Sequence, residues 1–172
     1  LWVQQRDLSG LLGFLSQNQF RPMSAEPVQG VHRVTDRHTQ LALRTSLFEG
    51  ASPAVQAEAP ARTIPMRAFG PSTFRLDLED ALLFHCHQQA SAGYEVPALS
   101  FVDLREMLLG APMLGGPYSR PLDPQALQLR ARQWGLERAL YVSLSIASRL
   151  FPETDAIAAE AMPTLRATRR TR

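Results

Sequence analysis

The chain has 172 residues, 45% hydrophobic and 20% charged, with a formal net charge of +2 at pH 7, which describes a globular protein able to bury a core without metal or disulfide staples. Cys86 is its single cysteine, so no intrachain disulfide is possible; no run of about 18 apolar residues suggests a membrane span, and the first twenty residues carry Arg6, Asp7 and several Gln, unlike a secretory signal. The cytoplasm is the expected compartment.

Leu1-Trp2-Val3 is an apolar, strand-forming triplet at the very start of the chain and implies a sequence truncated at its N-terminal end. Asp7 follows as an N-cap candidate. Leu8, Leu11, Leu12 and Leu15 then recur at helical spacing with Phe14 beside them, predicting a helix that ends near Asn18. Arg21-Pro22 breaks the chain. Residues 28–35 form a strand candidate interrupted by Gly30, and Asp36-Arg37 a turn. From Thr39 to Phe48, Leu41, Leu43, Thr45 and Leu47 alternate with Gln40, Ala42, Arg44 and Ser46, the period of a strand with one buried face.

Residues 49–62 read as a surface connection with at most one helical turn, and Ile64, Met66 and Ala68 as a short strand. Beyond Gly70-Pro71 the pattern becomes helical. Asp77 caps a helix to about Ala90 whose apolar residues cover most of its circumference, so it should lie in the core. Ser100 is expected to cap the next helix, with Asp103 in its first turn and Leu104, Met107 and Leu108 on its apolar face. Gly110 to Pro121 is irregular. Asp123-Pro124 starts a further helix that Gly135 ends. Leu136, Leu140, Leu144, Ala147 and Phe151 mark another, halted by Pro152, and a short helix over 154–161 precedes a tail carrying Arg166, Arg169, Arg170 and Arg172. The fold class read from this order is α+β, a small partial β-sheet with one helix at the N-terminal end followed by a mostly helical bundle. The expected division is 1–68 for the α/β region, 69–165 for the helical region of the same domain, and 166–172 for the basic tail.

The order of Leu1-Trp2-Val3, the helix leading to Phe20-Arg21-Pro22, the strand LALRTSLF, the segment LEDALLFHCHQQA, then FVDLREML and LRARQWGLERAL resembles the uncharacterised nucleotidyltransferase family of the polymerase-β-like superfamily. The similarity spans roughly residues 1–152. It implies transfer of a nucleotidyl group from a nucleoside triphosphate to an acceptor of unknown identity, with Mg²⁺ held by an Asp-x-Asp pair and a third carboxylate. Two strand residues two apart face one side, and hard divalent cations require such fixed carboxylate oxygens. By the resemblance the Asp-x-Asp pair would precede Leu1, and the strand over residues 41–48 carries no Asp or Glu. No metal ligand is therefore assigned in this chain.

The nucleotide-binding candidates are Arg44, which could meet a phosphate from the polar face of its strand, and, as the resemblance implies, His87 or His85 on the apolar helix. Helix geometry keeps these two histidines from sharing an ion, because residues two apart point about 200° from each other. Asp103 matches an Asp of the family's second helical motif, as a bracing or purely structural carboxylate. His32, His38 and Asp36 form a weaker surface-ion candidate around the turn. A Cys-His hydrolase is disfavoured because Cys86 belongs to a core helix, and no phosphate-binding loop or Rossmann fingerprint occurs. Nucleic acid is expected as a partner only through the Arg-rich tail. The alternative reading is a noncatalytic helical interaction domain descended from such an enzyme.

Overall fold

The computed structural model describes residues 3, 5–24, 26, 31–46, 53–66, 74–110 and 120–163. Within it the chain forms two compact units, residues 1–56 and 57–172. The architecture is α+β, strands and a helix first and a helical bundle afterwards.

In the first unit, α1 (Gln5–Gln17) faces a three-stranded antiparallel sheet of β1 (Arg21–Pro22), β2 (Val31–Thr35) and β3 (Gln40–Arg44), in the order β1-β2-β3. Asp7 lies inside the first turn of α1, not at its cap, because the helix starts two residues earlier. Leu8 and Leu15 from α1, Val34 from β2 and Leu43 from β3 make the core, with Val3, Leu11, Leu12, Phe20 and Leu41 packed around it. Phe14 points outward, 60% exposed. The helical stripe and the strand alternation therefore meet as their periods require. Burying each large side chain contributes roughly 1.5–3 kcal/mol.

The β2–β3 register pairs Val34 with Leu41 and His32 with Leu43. Asp36 closes the intervening turn: its Oδ1 accepts the amides of His38 at 2.8 Å and Thr39 at 2.6 Å, and these bonds hold its carboxyl below the usual range. That carboxylate serves the hairpin, which corrects the surface-ion candidate built on Asp36. The Val3 amide donates to the Arg44 carbonyl at 2.7 Å. Leu1, Trp2, Leu47 and Phe48 lie outside the described residues, as do residues 27–30 and 49–52.

Between the strands and the bundle, the expected loop instead contains α2 (Pro53–Glu58) and a 3₁₀ turn (Ala59–Arg62). Val55 and Ala59 are buried there. A two-stranded ribbon follows, β4 (Ile64–Pro65) pairing with β5 (Phe74–Arg75). β5 falls where a helix approach was expected; two residues are too few to show a period.

The second unit centres on α3 (Leu78–Ser91), which packs against α4 (Ala98–Leu109), α5 (Pro124–Trp134) and α6 (Glu137–Leu150). Three helices on one explain why α3 is apolar nearly all round. Leu82, Leu83, Leu104, Leu108, Leu127, Leu140 and Leu144 are fully buried. Asp77 caps α3 by accepting the Asp80 amide at 3.0 Å, and Asp123 caps α5 by accepting the amides of Gln125 and Ala126, both at 3.0 Å. Gly135 ends α5 at φ 69°, a left-handed position that costs glycine nothing. A 3₁₀ turn (Pro152–Thr154) leads into α7 (Asp155–Ala161).

The start of α4 differs from expectation. Pro97 occupies its N-cap, Ser100 is the third helical residue, and Asp103 sits past the first turn, exposed. The Ser100 hydroxyl is turned to α3 instead. No helix among the described residues is long and apolar enough to cross a membrane.

Candidate functional site

Asp77-Leu78-Glu79-Asp80 puts three carboxylates on the opening turn of a helix that is buried on almost every side. Where a helix has no solvent face, its acids cannot escape burial, and all three are buried here, Glu79 and Asp80 at 0% exposure. A buried carboxylate persists only if it is paired and hydrogen-bonded.

Three arginines supply the pairing. From α5, Arg130 Nη1 donates to both oxygens of Asp77, at 2.8 and 2.7 Å, and to Asp80 Oδ1 at 2.9 Å. Arg62, from the turn after α2, donates through Nε to Asp80 Oδ2 at 2.9 Å. Arg120 reaches Glu79 with two nitrogens, Nη1 at 2.8 Å and Nη2, while the Asp123 amide donates to Glu79 Oε1 at 3.0 Å. One network thus ties the 3₁₀ turn, α3, the entry to α5 and α5 itself.

The electrostatics follow from this geometry. Burial opposes ionisation of Glu79, but the bonds from Arg120 and Asp123 outweigh it and hold the carboxyl below the usual range. At Asp80 burial wins: its carboxyl is pushed up despite Arg62, and the neighbouring Asp77 charge adds to the rise. Burial works against the Arg130 charge, yet Asp77 and Asp80 together raise it further above the ordinary guanidinium range. Three cations and three anions cancel, and their hydrogen bonds point inward at one another. The arrangement braces the bundle and leaves no carboxylate pair turned outward for a cation.

A second polar cluster links α3 to α4. His85 Nε2 lies 2.7 Å from the Ser100 carbonyl oxygen. A carbonyl only accepts, so Nε2 carries the proton and cannot serve as a base toward the Ser100 hydroxyl 3.1 Å away. Gln89 Nε2 donates to that hydroxyl at 3.1 Å. This is a structural clasp and not a nucleophile–base pair.

The remaining sequence candidates belong to different elements. His87 lies two residues beyond His85 on α3, and Ser91 Oγ approaches its Nε2 at 3.3 Å; the two rings meet different neighbours, as the helical angle requires. Arg44 is half-buried on β3 in the first unit, whereas His85, His87 and the exposed Asp103 belong to the second. Cys86 is fully buried, and that burial pushes its thiol up to about 12, a value that leaves essentially no thiolate nucleophile near neutral pH.

The Arg–carboxylate network is hidden from sequence reading because its partners are 18 to 53 residues apart. Asp77 and Asp80 have the spacing of capping residues, which says nothing of their burial. The signal for burial lies in the acids embedded at the start of an all-round apolar helix. Among the described residues no group of three His, Cys, Asp or Glu could hold a metal ion. The Arg-rich tail lies outside the described residues.

Comparison with known protein families, with curated proteins and with solved structures yields no match.

Proposed function

We propose that this chain belongs to a nucleotidyltransferase-like protein, one that moves a nucleotidyl group from a nucleoside triphosphate to a hydroxyl of its acceptor, and that the chain's own part is the supporting bundle. The observation that carries this reading is the order of elements: a helix and antiparallel strands, then a core helix capped by Asp77 and clasped to the next helix through His85 and Ser100. That is the order implied by the motifs LALRTSLF, LEDALLFHCHQQA and FVDLREML. In this reading Arg44 contacts a phosphate and the α3 histidines, His87 foremost, contribute to nucleotide binding.

Mg²⁺ is the ion such chemistry uses, and the residues present do not fit it. Among the described residues, Asp77, Glu79 and Asp80 gather at one helix start, and each is already bonded to guanidinium groups. No step through the metal is therefore derived from this chain.

A second reading has its own observation. On α4, Leu99, Val102 and Leu109 are exposed at 66%, 37% and 38% and fall within about 80° of one another around the helix. Such a strip suits a noncatalytic helical interaction domain. Thermal denaturation with each nucleoside triphosphate and Mg²⁺, with and without chelator, separates the two. The enzyme reading expects a chelator-sensitive rise in midpoint and weaker binding in Arg44→Gln and His87→Gln. A midpoint indifferent to nucleotide and metal, in protein that consumes no labelled triphosphate, rejects it in favour of the interaction domain.

A further inference from the structure

The first unit contains a cleft of about 400 Å³ between the C-terminal half of α1 and strands β1 and β2. Its size falls within the range of small-ligand sites, roughly 300–1,000 Å³. Leu12, Leu15, Phe20 and Val34 line its apolar part, and His32, Arg33, Ser16 and Glu26 its polar part.

His32 is the residue out of place. Strand residues two apart share a face, so His32 lies on the side of β2 that carries the buried Val34, opposite the fully buried Leu43. An apolar side chain there would seal the sheet against α1. Instead the position holds a half-buried imidazole that forms no hydrogen bond with another described residue. A polar group placed on an otherwise apolar face, at a cleft, breaks the local pattern where a ligand would make use of it.

We propose that this cleft binds a small ring-bearing organic acid, with the ring against Leu12, Leu15, Phe20 and Val34 and its single negative charge met by the His32 imidazole. The apolar lining selects a ring over a sugar. The polar lining selects a monoanion: the His32 imidazole and the Ser16 hydroxyl offer donors, while Glu26 at the same cleft repels a second negative charge. Phosphate and triphosphate groups are disfavoured for that reason, which makes the site independent of any nucleotide-binding role.

The test is a titration of the full chain followed by ¹H–¹⁵N correlation spectra, with benzoate, benzyl alcohol, benzylamine and inorganic phosphate as probes. Benzoate should shift amides of Leu12 to Phe20 and of β2, benzyl alcohol more weakly, and benzylamine and phosphate not at all. His32→Leu replaces the imidazole with a side chain suited to its face, so the protein should keep its thermal midpoint while benzoate affinity falls about tenfold, the scale of one lost charge-assisted hydrogen bond. Ser16→Trp, on the exposed side of α1, should close the cleft to every probe. If His32→Leu does not fold, His32→Gln takes its place with the same expected loss. The proposal is overturned by silence of these amides toward benzoate, by equal binding of benzylamine, or by unchanged affinity in the His32 variant.

Discussion

Replacing Arg130 by leucine removes the one side chain among the described residues that bonds both Asp77 and Asp80. Asp80 keeps Arg62 at 2.9 Å, but Asp77 retains the Asp80 amide at 3.0 Å and, as a cation, Arg120 at 3.8 Å, too long for a hydrogen bond. Breaking a buried ion pair on one side costs about 3–5 kcal/mol, because the other charge stays buried without compensation. The surviving contacts place Arg130→Leu near the low end, about 3 kcal/mol, or roughly 10–15 °C in midpoint for a unit of this size. Asp80 gives the loss a pH signature. Its folded carboxyl already titrates above the ordinary value of 3.8, and removing Arg130 raises it further. A group whose folded pKa is raised is better tolerated protonated, so the variant's deficit should be largest near pH 7 and shrink as pH falls toward about 4. Guanidinium unfolding followed by helical circular dichroism at several pH values measures both quantities. A deficit below about 1 kcal/mol at pH 7, or one that does not change with pH, would refute the brace. Adding Asp77→Asn and Asp80→Asn to the Arg130→Leu variant should restore most of the loss, since the stranded charges are then gone.

Glu79→Gln tests the other sign. Glu79 is held below the ordinary value of 4.5, so its contribution is present above that pH and is lost as pH falls through the folded value; wild type and variant should differ at pH 7 and converge below 4.5 in the same unfolding assay, and parallel curves would contradict the reading. Gly135→Ala should destabilise the bundle by about 1–2 kcal/mol through its left-handed backbone alone, because no described atom beyond its chain neighbours and its own helix backbone stands within 4 Å of the added methyl. Gln19, which follows α1 at φ 69°, offers the converse: Gln19→Gly should stabilise by about 1 kcal/mol in equilibrium unfolding. Cys86, with its thiol near 12 and no exposure, should react with a thiol reagent only at the rate of unfolding; rapid labelling of the native protein would show that α3 opens locally.

Much of the helical architecture is legible from the chain alone. Helical and strand periods are local, and so are caps: Leu8 and Leu15, the Leu41–Leu43 alternation, Asp77, Asp123-Pro124 and Gly135 each act over a few residues, and each lies where its pattern indicates. The α+β order follows from placing those patterns in sequence. Local signals fail where a tertiary contact competes with them. Ser100 has the residue type of a helix cap, yet the helix begins after Pro97 and the Ser100 hydroxyl engages α3.

Tertiary structure alone decides what the polar groups do. Three acids at a helix start look like capping residues until three packed helices deny that turn its water, at which point each must find a guanidinium. The partners come from Arg62, Arg120 and Arg130, which no spacing rule connects to residues 77–80. His32 is likewise ordinary as a strand residue, and becomes notable only once its pairing with Leu43 fixes which face it shares. Periodicity reports how a chain curls over a few residues. Burial and pairing depend on what folds against it from far along the sequence, and so the sequence could name the elements but not the network that locks them.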